Sequence, residues 1–235
     1  MITITVAGLN IGIENQYDIL PYLQDFVTDA APDFTVHVTP EEIEKEGSIA
    51  PNTPAYLEFV CTNRKIAERL PEYHAFLFHG AAICKNDLCF VFTAPSGTGK
   101  TTHCKLWRSL YGETCEILNG DKPIIRRLGD NFYACGTPWR GKERFGGNQI
   151  KRIAGICLLN RGPENRIRPI EPGEALQFLM KQVYLPKEPA HLATQLALMD
   201  ACFRTVPLYS LECTVSLEAA RLAHDTMNPH ASSPV

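Results

Sequence analysis

No stretch of this chain is apolar for long enough to span a bilayer, and its opening residues, Met1-Ile2-Thr3-Ile4-Thr5-Val6, alternate as a strand does and lack a basic leader region. The protein is therefore expected to be soluble and cytoplasmic, with no membrane partner. Positive charge is not in surplus either. Against 26 Asp and Glu stand 23 Lys and Arg, so the formal net charge of -3 gives no electrostatic reason to expect nucleic acid as the main partner. The nine cysteines contain no C-x-x-C pair, which argues against a zinc site and against a disulfide framework. They read as reduced thiols, mostly buried in apolar stretches. Internal repeats and low-complexity tracts are missing as well.

What is present is enough apolar material, 45% of 235 residues, for one large core or a core with a small lobe. Residues 1–74 read as a small N-terminal α+β lobe: strands at Ile2 to Val6, Thr35 to Val38 and Tyr56 to Val60, helical spacing from Ile19 to Thr28, and an acidic connection from Pro40 to Pro54. Residues 75–228 carry sharper signals. Ala75 to Cys84 and Leu88 to Thr93 read as two strands about the turn Lys85-Asn86-Asp87, with Thr114 to Leu118 a third. Pro123 to Arg127 and Phe132 to Cys135 read as a hairpin, and Ile153 to Leu159 with Arg166 to Ile170 as a further strand pair. Helices are expected at Glu174 to Tyr184, Ala190 to Phe203 and Ser216 to Met227, with a strand at Val206 to Leu211 and a loose tail at 229–235. The class is α/β, a mixed sheet flanked by helices.

The segment Ala94-Pro95-Ser96-Gly97-Thr98-Gly99-Lys100-Thr101 has the form of a phosphate-binding P-loop, because an apolar strand enters it and a helical stretch leaves it. Ser96, Gly97, Thr98, Gly99, Lys100, Thr101 and Thr102 are the expected nucleotide contacts. The glycines let backbone N-H groups turn onto a polyphosphate, Lys100 supplies a point charge, and the Thr101 hydroxyl is a ligand for Mg2+. Ala94 stands where the first glycine of such loops sits, which is tolerable if that position needs smallness and not positive φ. Asp121 follows the next strand, where P-loop enzymes place a magnesium-directed carboxylate. A basic, glycine-interrupted stretch, Arg140 to Arg152, supplies Arg140 and Arg144 as contacts for a transferring phosphoryl group and Glu143 as a further metal ligand; the alternative is a solvated basic turn. His79 reads either as a core histidine or as a functional group near the phosphates.

Three segments together carry a family resemblance. His79-Gly80-Ala81-Ala82-Ile83, then the P-loop, then Leu118-Asn119-Gly120-Asp121-Lys122 resemble the catalytic domain of bacterial HPr kinase/phosphorylases. Gly136-Thr137-Pro138-Trp139-Arg140-Gly141-Lys142-Glu143 is similar to a segment of the short HPr kinase-like proteins of bacteria. The similarity covers residues 75 to 215 and extends more distantly to ATP-dependent phosphoenolpyruvate carboxykinases. It implies a mixed sheet around the P-loop, a functional histidine at His79 and possible assembly into homo-oligomers through this domain. The chain departs from HPr kinases in having Gly120-Asp121 in place of paired aspartates, which puts the reverse, phosphorylase reaction in doubt, and it lacks the substrate-binding arginines of the much longer carboxykinases.

The expected function is an ATP- and Mg2+-dependent phosphotransferase acting on a hydroxyl, serine first, of a protein, peptide or small molecule. Asp121, His79, Lys100, Arg140 and Arg144 are its candidate catalytic residues. A nucleotide-binding regulator without transfer chemistry is the alternative from a different class, with carboxykinase-type chemistry third.

Overall fold

A computed structural model of the chain describes residues 1–229, so the tail expected at 229–235 lies outside the described residues except for Pro229. The N-terminal layer holds β1 (Ile2–Val6), β2 (Leu9–Glu14) and β3 (Phe34–His37), in that order across a small sheet, β1 antiparallel and β3 parallel to β2. Between β2 and β3 comes only a single helical turn, α1 (Leu20–Leu23), extended by a tight 3-10 turn at Gln24–Phe26.

Two expectations fail next. The acidic connection is a helix, α2 (Pro40–Ile49), and the strand expected at Tyr56 to Val60 lies inside another, α3 (Pro54–Arg69). Both helices open on Thr-Pro. The Thr39 and Thr53 side chains accept from the backbone N-H groups of Glu42 and Tyr56, and proline at the first helical position costs no hydrogen bond. At Thr39 the Glu42 carboxylate returns a bond to the Thr39 N-H at 2.9 Å, closing a capping box. Apolar and β-branched content at Tyr56 to Val60 is overruled by this start signal and by burial of Leu57, Phe59, Cys61 and Ile66 at helical spacing.

The main sheet comprises nine strands among the described residues. These are β4 (Ala75–Leu77), β5 (Ala81–Lys85), β6 (Leu88–Thr93), β7 (Cys115–Asn119), β8 (Ile124–Leu128), β9 (Asn131–Cys135), β10 (Ile150–Arg161), β11 (Arg166–Pro169) and β12 (Leu208–Cys213). The path runs β4-β8-β9-β10-β6-β5-β7, and β12, carrying β11 on its far side, joins the distal half of β10. Residues Ala75 to Cys84 are therefore two strands, broken at Phe78–Gly80, and β10 and β11 are not partners: β12 lies between them, parallel to β10 and antiparallel to β11. The β8–β9 hairpin forms as expected. Only the β6–β10 and β10–β12 pairs of this sheet are parallel, so the sheet is mixed.

Side chains of β6 divide the core. Phe90 and Phe92 face α4 (Lys100–Tyr111) and α7 (Leu217–Met227), where Trp107 packs 4.9 Å from Phe90, ring to ring. Cys89 and Val91 point to the other face, onto α5 (Pro172–Leu179) and α6 (Pro189–Thr205). This two-residue alternation makes helix, sheet and helix the three layers of the domain. A further core joins Ile4, Ile11, Phe26 and Ile66 of the N-terminal segment to Leu77, Ile124 and Cys135 of the main sheet and to Trp139 in the segment after β9. All nine cysteines are buried and free. Cys84 and Cys89 are register partners across the β5–β6 hairpin.

Candidate functional site

Central strand β6 ends at Thr93, and the chain turns through Ala94 to Gly99 before α4 begins at Lys100. Gly97 and Gly99 have φ of 79° and 124°, values that a side chain would strain. Ala94 is fully buried and is not among the positive-φ residues, so its position requires smallness alone. Lys100 is 8% exposed, and its Nζ donates to the Ala94 carbonyl at 2.9 Å, so the ammonium closes over the start of the loop. Burial pulls its pKa below the ordinary lysine value, partly offset by the negative charge of Asp121.

The outer side of the loop is held by a residue that the sequence reading did not single out. Arg161, the last residue of β10, donates from Nη2 to Gly97 O at 2.6 Å and from Nε to Thr98 O at 2.9 Å. In a planar trans peptide the following N-H points opposite to the carbonyl, so fixing Thr98 O outward aims the Gly99 N-H inward.

Asp121 is presented by the end of β7. Asn119, fully buried, accepts at Oδ1 from the backbone N-H groups of Asp121 (2.9 Å) and Lys122 (2.7 Å), while its amide donates to Thr137 Oγ1 at 2.9 Å. Thr137 in turn donates to Lys122 O at 2.8 Å, which closes a fully paired polar knot beneath the carboxylate. Facing it is His79, in the break between β4 and β5, with Nε2 3.4 Å from Asp121 Oδ1 and Nδ1 3.0 Å from Gln182 Oε1. Since an amide oxygen only accepts, Nδ1 carries a proton in this arrangement. His79 is also tied by its backbone, its N-H to Gln182 O at 2.6 Å and its carbonyl to Thr93 Oγ1 at 2.9 Å, so the loop strand and the histidine are directly coupled. Burial pushes the Asp121 carboxyl upward, but the His79 hydrogen bond and the charges of Lys122 and His79 outweigh it and hold the group below the usual aspartate range. Asp121 is therefore a carboxylate at neutral pH.

The basic segment lies across this end of β7. Gly120 N-H donates to Phe145 O at 3.2 Å, and a side chain at 120 would bring its Cβ to 2.8 Å from Arg140 O. An aspartate there would displace the loop. Arg140 donates to Gly146 O at 2.8 Å and to Asp25 Oδ2 at 2.7 Å, with its guanidinium 5.5 Å from the Phe26 ring centre. Arg144 is exposed and sits 5.9 Å from the Tyr22 ring centre, and Glu143 pairs with Lys105 of α4 at 3.1 Å. Trp139 anchors the segment by donating to Phe59 O at 2.9 Å and stacking on the Phe59 ring, which stacks in turn on Tyr22.

The loop, His79, Asp121 and the basic segment open into one cleft of about 1330 Å3. Of the expected site residues, Ser96, Gly97, Gly99, Lys100, Thr101, Thr102, His79, Asp121, Arg140, Glu143 and Arg144 line it, whereas Thr98 lies on the loop's outer side beside Arg161. Seven lysines and arginines line this cleft against three carboxylates, although the whole chain is acidic. Among the described residues no group of three or more His, Cys, Asp or Glu is gathered as a metal cage. The oxygen donors on hand are the Thr101 hydroxyl and the Asp121 carboxylate, with Glu143 drawn to Lys105.

No protein-family model matches the chain, and no curated protein does. Among solved structures, that of the Hpr(Ser) kinase/phosphatase from Coxiella burnetii aligns over 63% of this chain and 91% of its own, at 8% identity and a TM-score of 0.35. A likeness that distant decides neither fold family nor activity. Among the described residues no helix is long and apolar enough to cross a membrane.

Sequence reasoning passed over Asn119, Thr137, Arg161 and Gln182. Asn119 was legible in principle, since an Asn two residues before a strand-end aspartate is a common device for folding a turn. Gln182 had no sequence signal, lying 103 positions from His79.

Proposed function

We propose that the chain is a cytoplasmic ATP- and Mg2+-dependent phosphotransferase of HPr kinase type, with residues 94–102 as its P-loop and a hydroxyl, serine first, as acceptor. The observation that supports this reading is the convergence, in one positively lined cleft, of the Gly97–Lys100 loop with a carboxylate held ionised by its neighbours. In this reading the acceptor oxygen bonds to the γ-phosphorus as the bond from that phosphorus to the departing ADP breaks. The hydroxyl proton passes to the Asp121 carboxylate, which His79 Nε2 faces at 3.4 Å while Gln182 holds the imidazole at Nδ1. Little base strength is required when the transition state is dissociative, so positioning dominates.

Thr101 and Asp121 would hold the magnesium ion. Two hard oxygen donors suffice because Mg2+ keeps several waters and shares the substrate's phosphates, and its charge would offset that building on the leaving oxygens. Arg140 and Arg144 would neutralise the phosphoryl group in flight. The test is incubation with γ-labelled ATP and candidate hydroxyl acceptors. Transfer that disappears in Asp121→Asn supports the assignment, and absence of transfer to every acceptor class counts against it.

One observation favours the second reading, a nucleotide-responsive regulator. The segment 140–147 lines the cleft while tied to Asp25 of the N-terminal layer, to Lys105 of α4 and to Gly120 beside Asp121. ATP-dependent change in that segment with no transfer to any acceptor would establish it.

A further inference from the structure

The cleft extends past the loop and Asp121 to a wall made by α3 and the strap 181–184, and apart from Gln182 this wall has no role in the reading above. Its volume of about 1330 Å3 exceeds the roughly 300–1,000 Å3 of ordinary ligand pockets, leaving room for a second molecule beside a nucleotide. Two side chains on it lack partners. Asn63 is 5% exposed, lines the cleft and makes no side-chain hydrogen bond within the chain, so its amide is open only to what occupies the cleft. Lys181 lines the same cleft and forms no ion pair, whereas neighbouring Arg64 is neutralised by a two-pronged pair with Glu46 at 2.5 and 2.8 Å. The strap is moored to α3 by the Tyr184 hydroxyl, which donates to Glu68 Oε1 at 2.6 Å, and it carries Gln182, the partner of His79.

We infer that this wall is the acceptor subsite and that it takes a small hydroxy carboxylic acid, whose carboxylate is received by the Lys181 ammonium and the Asn63 amide. A cleft-facing amide with no internal partner, lining the same wall as a cation without an ion pair, suits a single compact anion carrying further hydrogen-bonding groups. Placing that anion on the strap brings its hydroxyl toward the His79 side of the cleft, since Lys181 and Gln182 are adjacent in the chain. The inference rests on the kinase reading for its purpose, but the binding itself does not depend on transfer.

The experiment is titration of 15N-labelled full chain with L-serine and D-glycerate, each against its carboxamide, following the Asn63 side-chain amide signal. Both acids are expected to shift that signal saturably and to bind at least about tenfold tighter than their amides, since each amide lacks one charged hydrogen-bond partner. Lys181→Met, a change at an exposed position, should weaken acid binding by a similar factor and leave amide binding unchanged. Lys100→Ala should leave the acid-induced shift in place even as ATP binding falls, so failure of the nucleotide assignment and failure of this one are separately visible. Equal affinity for acid and amide, an unchanged Lys181→Met titration, or a response only to peptides with an internal serine would overturn the proposal.

Discussion

Arg140 Nη2 donates to Asp25 Oδ2 at 2.7 Å, joining the basic segment to the N-terminal layer. The pair is half open to solvent on the Asp25 side, so its loss should cost little stability, within about 1 kcal/mol. Its effect on transfer separates two roles for the arginine. If Arg140 acts on the phosphoryl group, Arg140→Ala lowers the single-turnover rate by about 10²-fold with ATP affinity nearly unchanged. Asp25→Ala, which only releases the guanidinium, then leaves the rate the same or higher. Equal losses in the two variants would make the pair a structural clasp.

Lys100→Ala should weaken ATP binding strongly, because a polyphosphate loses its charge partner, while thermal unfolding shifts little. Arg161→Ala tests the outer hold on the same loop. Without the two bonds to Gly97 and Thr98 carbonyls the loop loses its imposed peptide orientation, and calorimetry should show ATP affinity reduced by about tenfold. Arg161→Lys should recover only part, since lysine cannot make the planar two-pronged contact. Wild-type affinity in Lys100→Ala would remove the phosphate-loop assignment altogether.

Asp121→Asn keeps the side chain's shape and removes its charge. Turnover is expected to fall by orders of magnitude, whereas nucleotide binding measured without Mg2+ stays close to wild type. Metal-free affinity that falls as steeply as turnover would instead make Asp121 part of the loop's scaffold.

His103 predicts an acid limb in stability. It is 3% exposed and accepts from Trp107 Nε1 at 3.1 Å, and burial lowers its pKa to about 4 from an ordinary 6.5. Between these values the unfolded chain takes up a proton that the folded chain refuses. The neutral imidazole's contribution is thus intact above pH 6.5 and is lost as pH falls toward 4, a change on the order of 3 kcal/mol. Denaturant unfolding at stepped pH should show that slope in the wild type and a shallower one in His103→Gln, which keeps an acceptor for Trp107.

Much of the main sheet was legible because its strands are bounded by clear turns: Asn86-Asp87 before β6 and Gly129-Asp130 between β8 and β9. The site's contiguous parts, Gly97 to Lys100 and Asn119 to Asp121, were legible for the same reason. Pairing between distant strands was not. Nothing local tells β11 to seek β12 across α5 and α6 in preference to β10, because that choice is made by the parallel crossover returning beside β10. The N-terminal helices were misread although their Thr-Pro starts were in plain view, since the short apolar run at Tyr56 fits a strand as well as a buried helix face. The role of Trp139 in tying the basic segment to Phe59 depends on contact across 80 positions and has no sequence signature.

Arg144 adopts φ of 51°, a left-handed conformation that disfavours any side chain by roughly 1–2 kcal/mol. Its neighbours Gly141 and Gly146 meet the same demand with glycine, so the turn as such has no need of an arginine. Arg144→Gly is therefore expected to make the protein more resistant to unfolding while emptying the mouth of the cleft of one cation. The position sets durability and activity against each other, and a selection for heat resistance alone would be drawn to discard this side chain.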